Sequence, residues 1–189
     1  MKRRTLDLTL ATVGLVVALV MAIAGGLLLF AANFASDTVS SELSAQQIFF
    51  PPAAQLSPEL QQFGGQQVTT GALAKSYSDM IAEHVDAVAG GKTYAEVSGE
   101  WIASSADPVK RDVALGAQRQ TLFMGETLRG LLLNTYAFSI FGTVAYIGGL
   151  VALVAAVGLL LLAVVGFVHA RGLPHATPST APETESVPA

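Results

Sequence analysis

The sequence predicts an all-α membrane protein, in which two transmembrane helices flank a small extracytoplasmic helical domain. The main observation is two runs without any charged residue, 8–36 and 130–168. A helix of roughly 20 apolar residues crosses a bilayer core about 30 Å thick, and both runs exceed that length. Charged residues make up only 13 % of the chain and the mean hydropathy is +0.54, whereas soluble domains carry about 25 % charged residues.

Basic residues lie at the end of each run that is nearer to a chain terminus. Lys2, Arg3 and Arg4 precede the first run and Arg171 follows the second. Short flanks rich in Lys and Arg stay in the cytoplasm, so we expect a two-span protein of the cell membrane with both termini cytoplasmic. A cleavable signal peptide is the alternative, because residues 22–24 (Ala-Ile-Ala) fit a small-x-small cleavage site. The apolar sequence continues to residue 32, which favours a retained anchor.

The boundaries of the predicted segments follow from these runs. In chain order they are a cytoplasmic N-terminus (1–7), transmembrane helix 1 (8–32), an extracytoplasmic helical domain (33–129), a long helix that includes transmembrane helix 2 (130–168) and a disordered, proline-rich cytoplasmic tail (169–189). As a helix, residues 130–168 would extend about 58 Å, nearly twice the bilayer core. Either this helix projects from the membrane, or Gly148-Gly149 breaks it into a hairpin. We favour the single projecting helix.

Helix start and stop signals recur between the two spans. Pro58 after Ser57 predicts a short helix that ends before Gly64. Apolar residues three and four apart predict an amphipathic helix over residues 71–89, ended by two glycines. Thr93 and Glu96 have the spacing of a capping box. Asp107-Pro108 predicts the start of a helix that continues into the membrane, and no strand-like alternation is found.

Small residues recur at four-residue spacing in the two spans, a pattern that allows close approach of a second helix. The predicted packing positions are Gly14, Ala18, Ala22 and Gly26 in the first span and Ala145, Gly149, Ala152 and Ala156 in the second. Two interpretations remain open. The spans pack against each other, or one ridge receives a helix from another protein.

Two segments are candidate interaction sites. In the first, Phe49 and Phe50 precede Pro51 and Pro52, which hold the chain extended. Its aromatic rings are expected to anchor a linker, at the membrane surface or against the helical domain, with a ligand-facing lip as the alternative. The second lies where the long helix meets the membrane surface, and its candidate residues are Glu126, Arg129, Asn134 and Tyr136.

Residue types that carry chemistry are scarce. Cysteine is absent, which excludes disulfides and thiolate metal sites. His84 is the only histidine of the predicted extracytoplasmic domain, since His169 and His175 fall at the end of the second run and in the tail. Neither a Gly-x-Ser-x-Gly turn nor a P-loop occurs. We therefore predict no catalytic residue, no metal site and no cofactor, and hence no enzyme. Residues 37–129 contain eleven acidic and six basic side chains, which makes nucleic acid an improbable partner.

Three stretches resemble an uncharacterised family of two-span membrane proteins from actinobacteria. They are Gln66 to Gly71 (QQVTTG), Gly90 to Tyr94 (GGKTY) and Gly125 to Phe138 (GETLRGLLLNTYAF), and with Phe49 to Pro52 the resemblance spans about residues 48–147. Such proteins are sometimes labelled as a subunit of an aromatic ring-opening dioxygenase. A non-haem iron site needs convergent His and carboxylate ligands, which this sequence does not support. The resemblance implies a cell-membrane protein with an extracytoplasmic helical domain of unknown role, and it supplies no catalytic residues.

The leading hypothesis is a non-enzymatic accessory or interaction protein that presents an acidic helical domain outside the cell. Its expected partners are the lipid bilayer and either a membrane protein or a second copy of the chain. The alternative is an extracytoplasmic sensor or carrier of a small ligand. Because only a short tail follows Arg171, such a sensor would act through a partner membrane protein.

Overall fold

The structure, a computed structural model, describes residues 3–172. The predicted disordered tail (169–189) begins too early, because residues 169–172 are the end of the last helix; residues 173–189 lie outside the described part of the chain. The four α-helices are α1 (Arg3–Ala45), α2 (Gly71–Ala89), α3 (Tyr94–Ala103) and α4 (Val113–Gly172), with three short 3-10 helices at Ala53–Gln55, Gln61–Phe63 and Pro108–Lys110. Residues 3–172 contain no β-strand, only one antiparallel bridge between Phe49 and Gln67. The all-α prediction is therefore confirmed.

Two helices, α1 and α4, are long and apolar enough to cross a membrane. They contain 43 and 60 residues, and at about 1.5 Å per residue each is far longer than a bilayer core of roughly 30 Å. Only 11 % of the most apolar window of each helix is buried, unlike the core helix of a soluble protein. Helix α4 continues through Gly148 and Gly149 without a break, so residues 130–168 form one helix and not a hairpin.

Residues 3–25 and 151–172 form one of two compact units. Small buried residues line its interior at seven-residue spacing: Ala11, Ala18 and Gly25 in α1, and Ala156, Ala163 and Ala170 in α4. A period of seven keeps one face of a helix toward its neighbour. The two backbones come close here, since a β-carbon added to Gly166 would lie 3.1 Å from Cβ of Ala11.

The second unit, Gly26–Leu150, contains the helical domain. Its larger core joins the end of α1, the connecting segment, α2 and α4 through Val39, Leu43, Phe50, Leu56, Leu60, Val68, Ala74 and Leu132. A smaller core is formed by Val85, Ala89, Val97 and Leu122. Gly125 of α4 lets the helices of this second core approach, because a β-carbon there would overlap the side chain of Val85.

Local capping explains where α2 and α3 begin and end. The hydroxyl of Thr70 accepts a hydrogen bond from the Leu73 N–H, and Gly90, in the left-handed region at φ 61°, ends α2. Thr93 and Glu96 form the predicted capping box at the start of α3. The predicted helix over residues 71–89 and the capping box are both confirmed.

The prediction of an α-helix beginning at Ser57 is wrong. The chain there forms a turn and then the 3-10 helix Gln61–Phe63, and the Ser57 hydroxyl donates to Glu83 of α2 at 3.2 Å instead of capping a helix. The seven residues before Gly64 are too few to offset the cost of helix nucleation.

The long helix begins five residues later than Asp107-Pro108 predicted. Asp107 caps only the 3-10 helix Pro108–Lys110, because the backbone at Arg111 is extended (ψ 151°) and ends that helix. A carboxylate oxygen of Asp112 then accepts a hydrogen bond from the Leu115 N–H at 2.9 Å, which places the start of α4 at Val113.

Candidate functional site

A cleft of about 620 Å³ lies in the unit Gly26–Leu150. Three segments line it: residues 32–40 of α1, residues 69–72 at the start of α2, and residues 136–146 of α4. We call this the hydroxyl cleft, because most of its polar lining carries hydroxyl groups. The lining residues are Ala32, Asn33, Ser36, Val39, Ser40, Thr69, Thr70, Gly71, Ala72, Tyr136, Ser139, Ile140, Gly142, Thr143 and Tyr146.

Small residues bring the three segments together. A β-carbon added to Gly142 would lie 3.0 Å from Cβ of Ala35 and 3.6 Å from the carbonyl oxygen of Ala32. Gly71 is buried, and a β-carbon there would overlap the side chain of Ser139. These close contacts hold α4 against both α1 and the start of α2, so two walls of the cleft are regular helix and the third is the extended chain of Thr69 and Thr70 that leads into α2.

Six uncharged polar side chains of the cleft have no hydrogen-bond partner among residues 3–172. Thr69 and Tyr136 are half-buried, whereas Asn33, Ser36, Ser40 and Tyr146 are exposed to solvent. The remaining hydroxyls are engaged locally: Ser139 donates to the carbonyl of Tyr136 at 2.7 Å and Thr143 to that of Ser139 at 3.0 Å. A hydroxyl that donates a hydrogen bond can still accept one through its lone pairs. The cleft therefore offers both donors and acceptors.

No Asp, Glu, Lys, Arg or His is present in the lining. The first turn of α2 adds backbone N–H groups at Gly71 and Ala72, and such groups at a helix start lack intrahelical partners. The chemistry that this cleft supports is hydrogen bonding to an uncharged polar group. It contains neither a titratable base nor an ionised nucleophile.

Of the four candidate residues on α4, Tyr136 alone lines the cleft. Glu126 and Arg129 lie on the preceding turns, where Nη1 of Arg129 is 3.4 Å from Oε2 of Glu126 and both side chains are substantially exposed. An exposed pair of this kind contributes only about 0.3–0.5 kcal/mol. Asn134 is exposed on α4.

The segment from Phe49 to Pro52 is held by backbone hydrogen bonds. The N–H of Phe50 donates to the carbonyl of Gln66 at 2.9 Å, and the carbonyl of Pro51 accepts from Gly65 at 3.2 Å. Phe50 is 2 % exposed and stacks on Phe63, so its ring belongs to the core. Phe49 is 53 % exposed, Pro51 is half-buried and Pro52 is exposed. The two aromatic rings thus take different roles.

The predicted packing residues divide into three groups by burial. Ala18, Gly149 and Ala156 are buried; Gly14, Ala22, Ala145 and Ala152 are half-buried. Gly26 is exposed, and nothing lies within 4 Å of a β-carbon added to it. A β-carbon on Gly14 would lie 3.9 Å from that of Ala163, so in the unit formed by residues 3–25 and 151–172 the two long helices pack on each other.

A second polar feature is the stacking of two arginines on Trp101. The guanidinium carbons of Arg111 and Arg119 lie 4.6 Å and 4.0 Å from the ring centroid. Within residues 3–172 neither guanidinium forms an ion pair with a carboxylate. Gly116 of α4 also lies against this ring, since a β-carbon there would be 3.0 Å from the indole nitrogen. This packing attaches α3 to the start of α4.

Sequence reasoning missed most of the cleft, including Asn33, Ser36, Ser40, Thr69, Thr70, Ser139, Thr143 and Tyr146. The available signal was the polar residues at the edges of the two apolar runs, where a hydroxyl or amide is unusual in lipid. That signal identifies single polar residues, but it does not show that three separate segments come together to form a cleft. Among residues 3–172, no group of three or more His, Asp or Glu side chains is arranged to hold a metal ion.

Comparisons with known proteins do not assign this chain to a family. No family model, no curated protein and no solved structure matches this chain.

Proposed function

We propose that this chain is a two-span membrane protein that binds a component of the cell envelope without transforming it. Its helical domain is presented outside the cell, and the hydroxyl cleft is the binding site. The observation on which the proposal rests is the cleft itself, whose lining has no Asp, Glu, Lys, Arg or His and contains six polar side chains without a hydrogen-bond partner among residues 3–172.

The surfaces of α1 and α4 support the membrane location. Large apolar side chains such as Phe30, Val151 and Leu162 are exposed along both helices, and contiguous apolar surface of this kind marks a membrane or protein contact. The basic residues before α1 favour a cytoplasmic N-terminus.

Cysteine labelling tests this topology cleanly, because the natural chain contains no cysteine. Ala54→Cys lies at an exposed position of the helical domain and Thr5→Cys at an exposed position near the start of α1. In intact cells a membrane-impermeant maleimide should label Ala54→Cys, and it should label Thr5→Cys only after permeabilisation. Labelling in the reverse order, or equal labelling of both, would contradict the proposal.

A second candidate function is docking of a partner membrane protein through α4. The pair Glu126 and Arg129, with Asn134 about one and a half turns beyond Arg129, favours this function because the three polar groups share one helix next to apolar surface. Purification in a mild detergent should then recover a stoichiometric partner, and Arg129→Ala should reduce its yield. A clean monomer, or an unchanged yield from Arg129→Ala, would remove this candidate. A ligand sensor that acts through a partner requires both results, a ligand in the cleft and a protein on α4.

A further inference from the structure

We propose that the hydroxyl cleft binds the neutral, polyhydroxylated headgroup of an amphiphile, that is, a sugar-type headgroup attached to an apolar chain. This inference rests on the proposed function and names the class of ligand. Four properties of the cleft carry it: its charge, its hydrogen-bonding groups, its size and its apolar surroundings.

The charge of the lining selects against ionic ligands. A phosphate or carboxylate bound in the cleft would meet no Lys or Arg and would face only the partial positive charge at the start of α2, and a cation would meet no carboxylate. Removing an ion from water without a counter-charge is strongly unfavourable. A neutral ligand has no such cost, so the cleft favours neutral headgroups over phosphorylated ones.

The hydrogen-bonding groups match a polyol. A sugar hydroxyl donates one hydrogen bond and accepts others, as do the hydroxyls of Ser36, Ser40 and Thr69, while Asn33 adds two amide donors and a carbonyl. Tyr136 and Tyr146 each bring an aromatic face with a hydroxyl at its tip. A hydrocarbon ligand in the cleft would displace water from these groups without replacing its hydrogen bonds, which weakens binding.

The size of the cleft sets the size of the headgroup. Its volume of about 620 Å³ falls within the range of roughly 300–1,000 Å³ that is usual for small-ligand pockets. One or two sugar rings fit such a space, whereas a long polysaccharide would extend beyond it.

The surroundings of the cleft favour an amphiphile over a free sugar. On α1, Phe34 follows the lining residue Asn33 and is 61 % exposed; on α4, Phe141 follows the lining residue Ile140 and is 71 % exposed. Neither ring lines the cleft, but exposed aromatic residues at this level of the two helices are suited to the boundary between headgroups and acyl chains. The apolar chain of the ligand would lie along these helices while its headgroup occupies the cleft.

Binding is tested on the full-length protein, purified in a zwitterionic detergent that carries no sugar and reconstituted into phosphatidylcholine nanodiscs. The discs contain one of three additional lipids: monoglucosyl diacylglycerol, diacylglycerol or phosphatidylglycerol. A fourth arm adds soluble methyl glucoside to discs of phosphatidylcholine alone. Native mass spectrometry measures the lipid retained after ejection from the disc, and thermal unfolding measures the stabilisation that binding confers.

The expected result is retention of the glucosyl lipid, with an increase of Tm, in that arm alone. Equal retention of diacylglycerol, or a preference for phosphatidylglycerol, would overturn the assignment of a neutral sugar headgroup. Saturable stabilisation by methyl glucoside without any preference for the lipid would overturn the assignment of an amphiphile.

Variants link the binding to the cleft. The double variant Tyr136→Phe/Tyr146→Phe removes two hydroxyls and keeps both rings, so affinity should fall by about tenfold or more while unfolding of the lipid-free protein changes little. Ser36→Leu should block the cleft. Tyr94→Phe on α3, outside the cleft, is the matched control and should bind as the natural chain does. Unchanged affinity in both cleft variants would place the lipid elsewhere and contradict the proposal.

Failure of the ligand class and failure of the proposed function are distinguishable. Nanodisc binding does not depend on which side of the membrane the domain occupies, whereas the Ala54→Cys labelling depends on nothing else. External labelling without glycolipid binding would reject the ligand alone. Glycolipid binding with cytosolic labelling of Ala54→Cys would reject the extracellular role alone.

Discussion

The first residue of α2, Gly71, lies directly against Ser139 of α4. A β-carbon on Gly71 would overlap both the β-carbon and the hydroxyl oxygen of Ser139. This contact therefore requires glycine for steric reasons, even though Gly71 begins an ordinary α-helix. It sets how closely the start of α2 approaches α4, and with it the width of the hydroxyl cleft.

Gly71→Ala should destabilise the protein by about 1–3 kcal/mol, the usual cost of inserting a methyl group into a well-packed contact. Thermal and denaturant unfolding in detergent measure the change. Gly99→Ala is the control, because Gly99 lies on α3 with nothing within 4 Å of an added β-carbon. That substitution should leave stability unchanged or raise it by up to about 1 kcal/mol through helix propensity.

A double-mutant cycle isolates the contact between these two residues. Ser139→Gly removes the atoms that the new methyl group would meet, so Gly71→Ala should be much less destabilising in that background. If Gly71→Ala cost as much with Ser139→Gly as without it, the contact between Gly71 and Ser139 would not be the cause.

A disulfide should form between the two long helices in the unit of residues 3–25 and 151–172. The β-carbons of Gly14→Cys and Ala163→Cys are expected 3.9 Å apart, within the range of about 3.5–4.5 Å typical of disulfides. Oxidation of the double variant in membranes should therefore give an intramolecular crosslink, detected by peptide mapping under non-reducing conditions.

The matched control pairs Val13→Cys with Ala163→Cys. Val13 neighbours Gly14 but is 55 % exposed, so its side chain points away and little crosslink is expected. Exclusive formation of crosslinked dimers by the Gly14 and Ala163 pair would show that these ridges meet between copies of the chain and not within one.

The capping box of α3 should make stability depend on pH. Hydrogen bonds from the backbone N–H and then the hydroxyl of Thr93 lower the pKa of Glu96 below 4.5, and Lys92 nearby lowers it further. A carboxyl whose pKa is depressed by folding contributes stability above its unfolded pKa and loses it as the pH falls through the folded pKa. Helix α3 should accordingly loosen as the pH falls below 4.5.

Glu96→Gln should flatten this part of the stability–pH profile, measured by circular dichroism and thermal unfolding at a series of pH values. Glu59→Gln is the control, since the Glu59 side chain makes no hydrogen bond or ion pair within residues 3–172. An identical slope for the natural chain and Glu96→Gln would contradict the assignment. Thr93→Ala should cost about 1 kcal/mol at neutral pH through loss of the N-cap.

Replacement of Arg119 should change the fluorescence of Trp101, which is the only tryptophan of the chain. Arg119→Met keeps an apolar side chain over the ring but removes the cation. The packing of α3 against the start of α4 should therefore be weakened by about 0.5–1 kcal/mol. We expect a red-shifted emission and easier quenching by iodide as water reaches the indole. Arg119→Lys should lie between this variant and the natural chain.

Arg129→Met is the control for that experiment. It removes the same charge from α4, but its partner is Glu126 and not Trp101. Emission as strongly shifted in Arg129→Met as in Arg119→Met would mean that the change reports net charge and not the stacking on Trp101.

The elements that sequence patterns located well are those with local causes. Helix α2 begins and ends where predicted, because Thr70 caps its first turn and Gly90 supplies the left-handed residue that ends it. Ser57 carried a comparable start signal and failed, because the glycines that follow leave no room for a helix and its hydroxyl is drawn to Glu83 of α2. A start signal is therefore informative only when the sequence after it can propagate a helix.

The sequence by itself determined the class of the protein: two long apolar helices, an all-α domain between them and no cysteine chemistry. These properties depend on composition and on the spacing of nearby residues, both of which can be read from the sequence before the fold is known. The tertiary structure alone decided that residues 32–40, 69–72 and 136–146 meet in one uncharged cleft. Segments so far apart in sequence meet only through close contacts such as that of Gly71 with Ser139, and these depend on the packing of whole helices and leave no periodic signal in the chain.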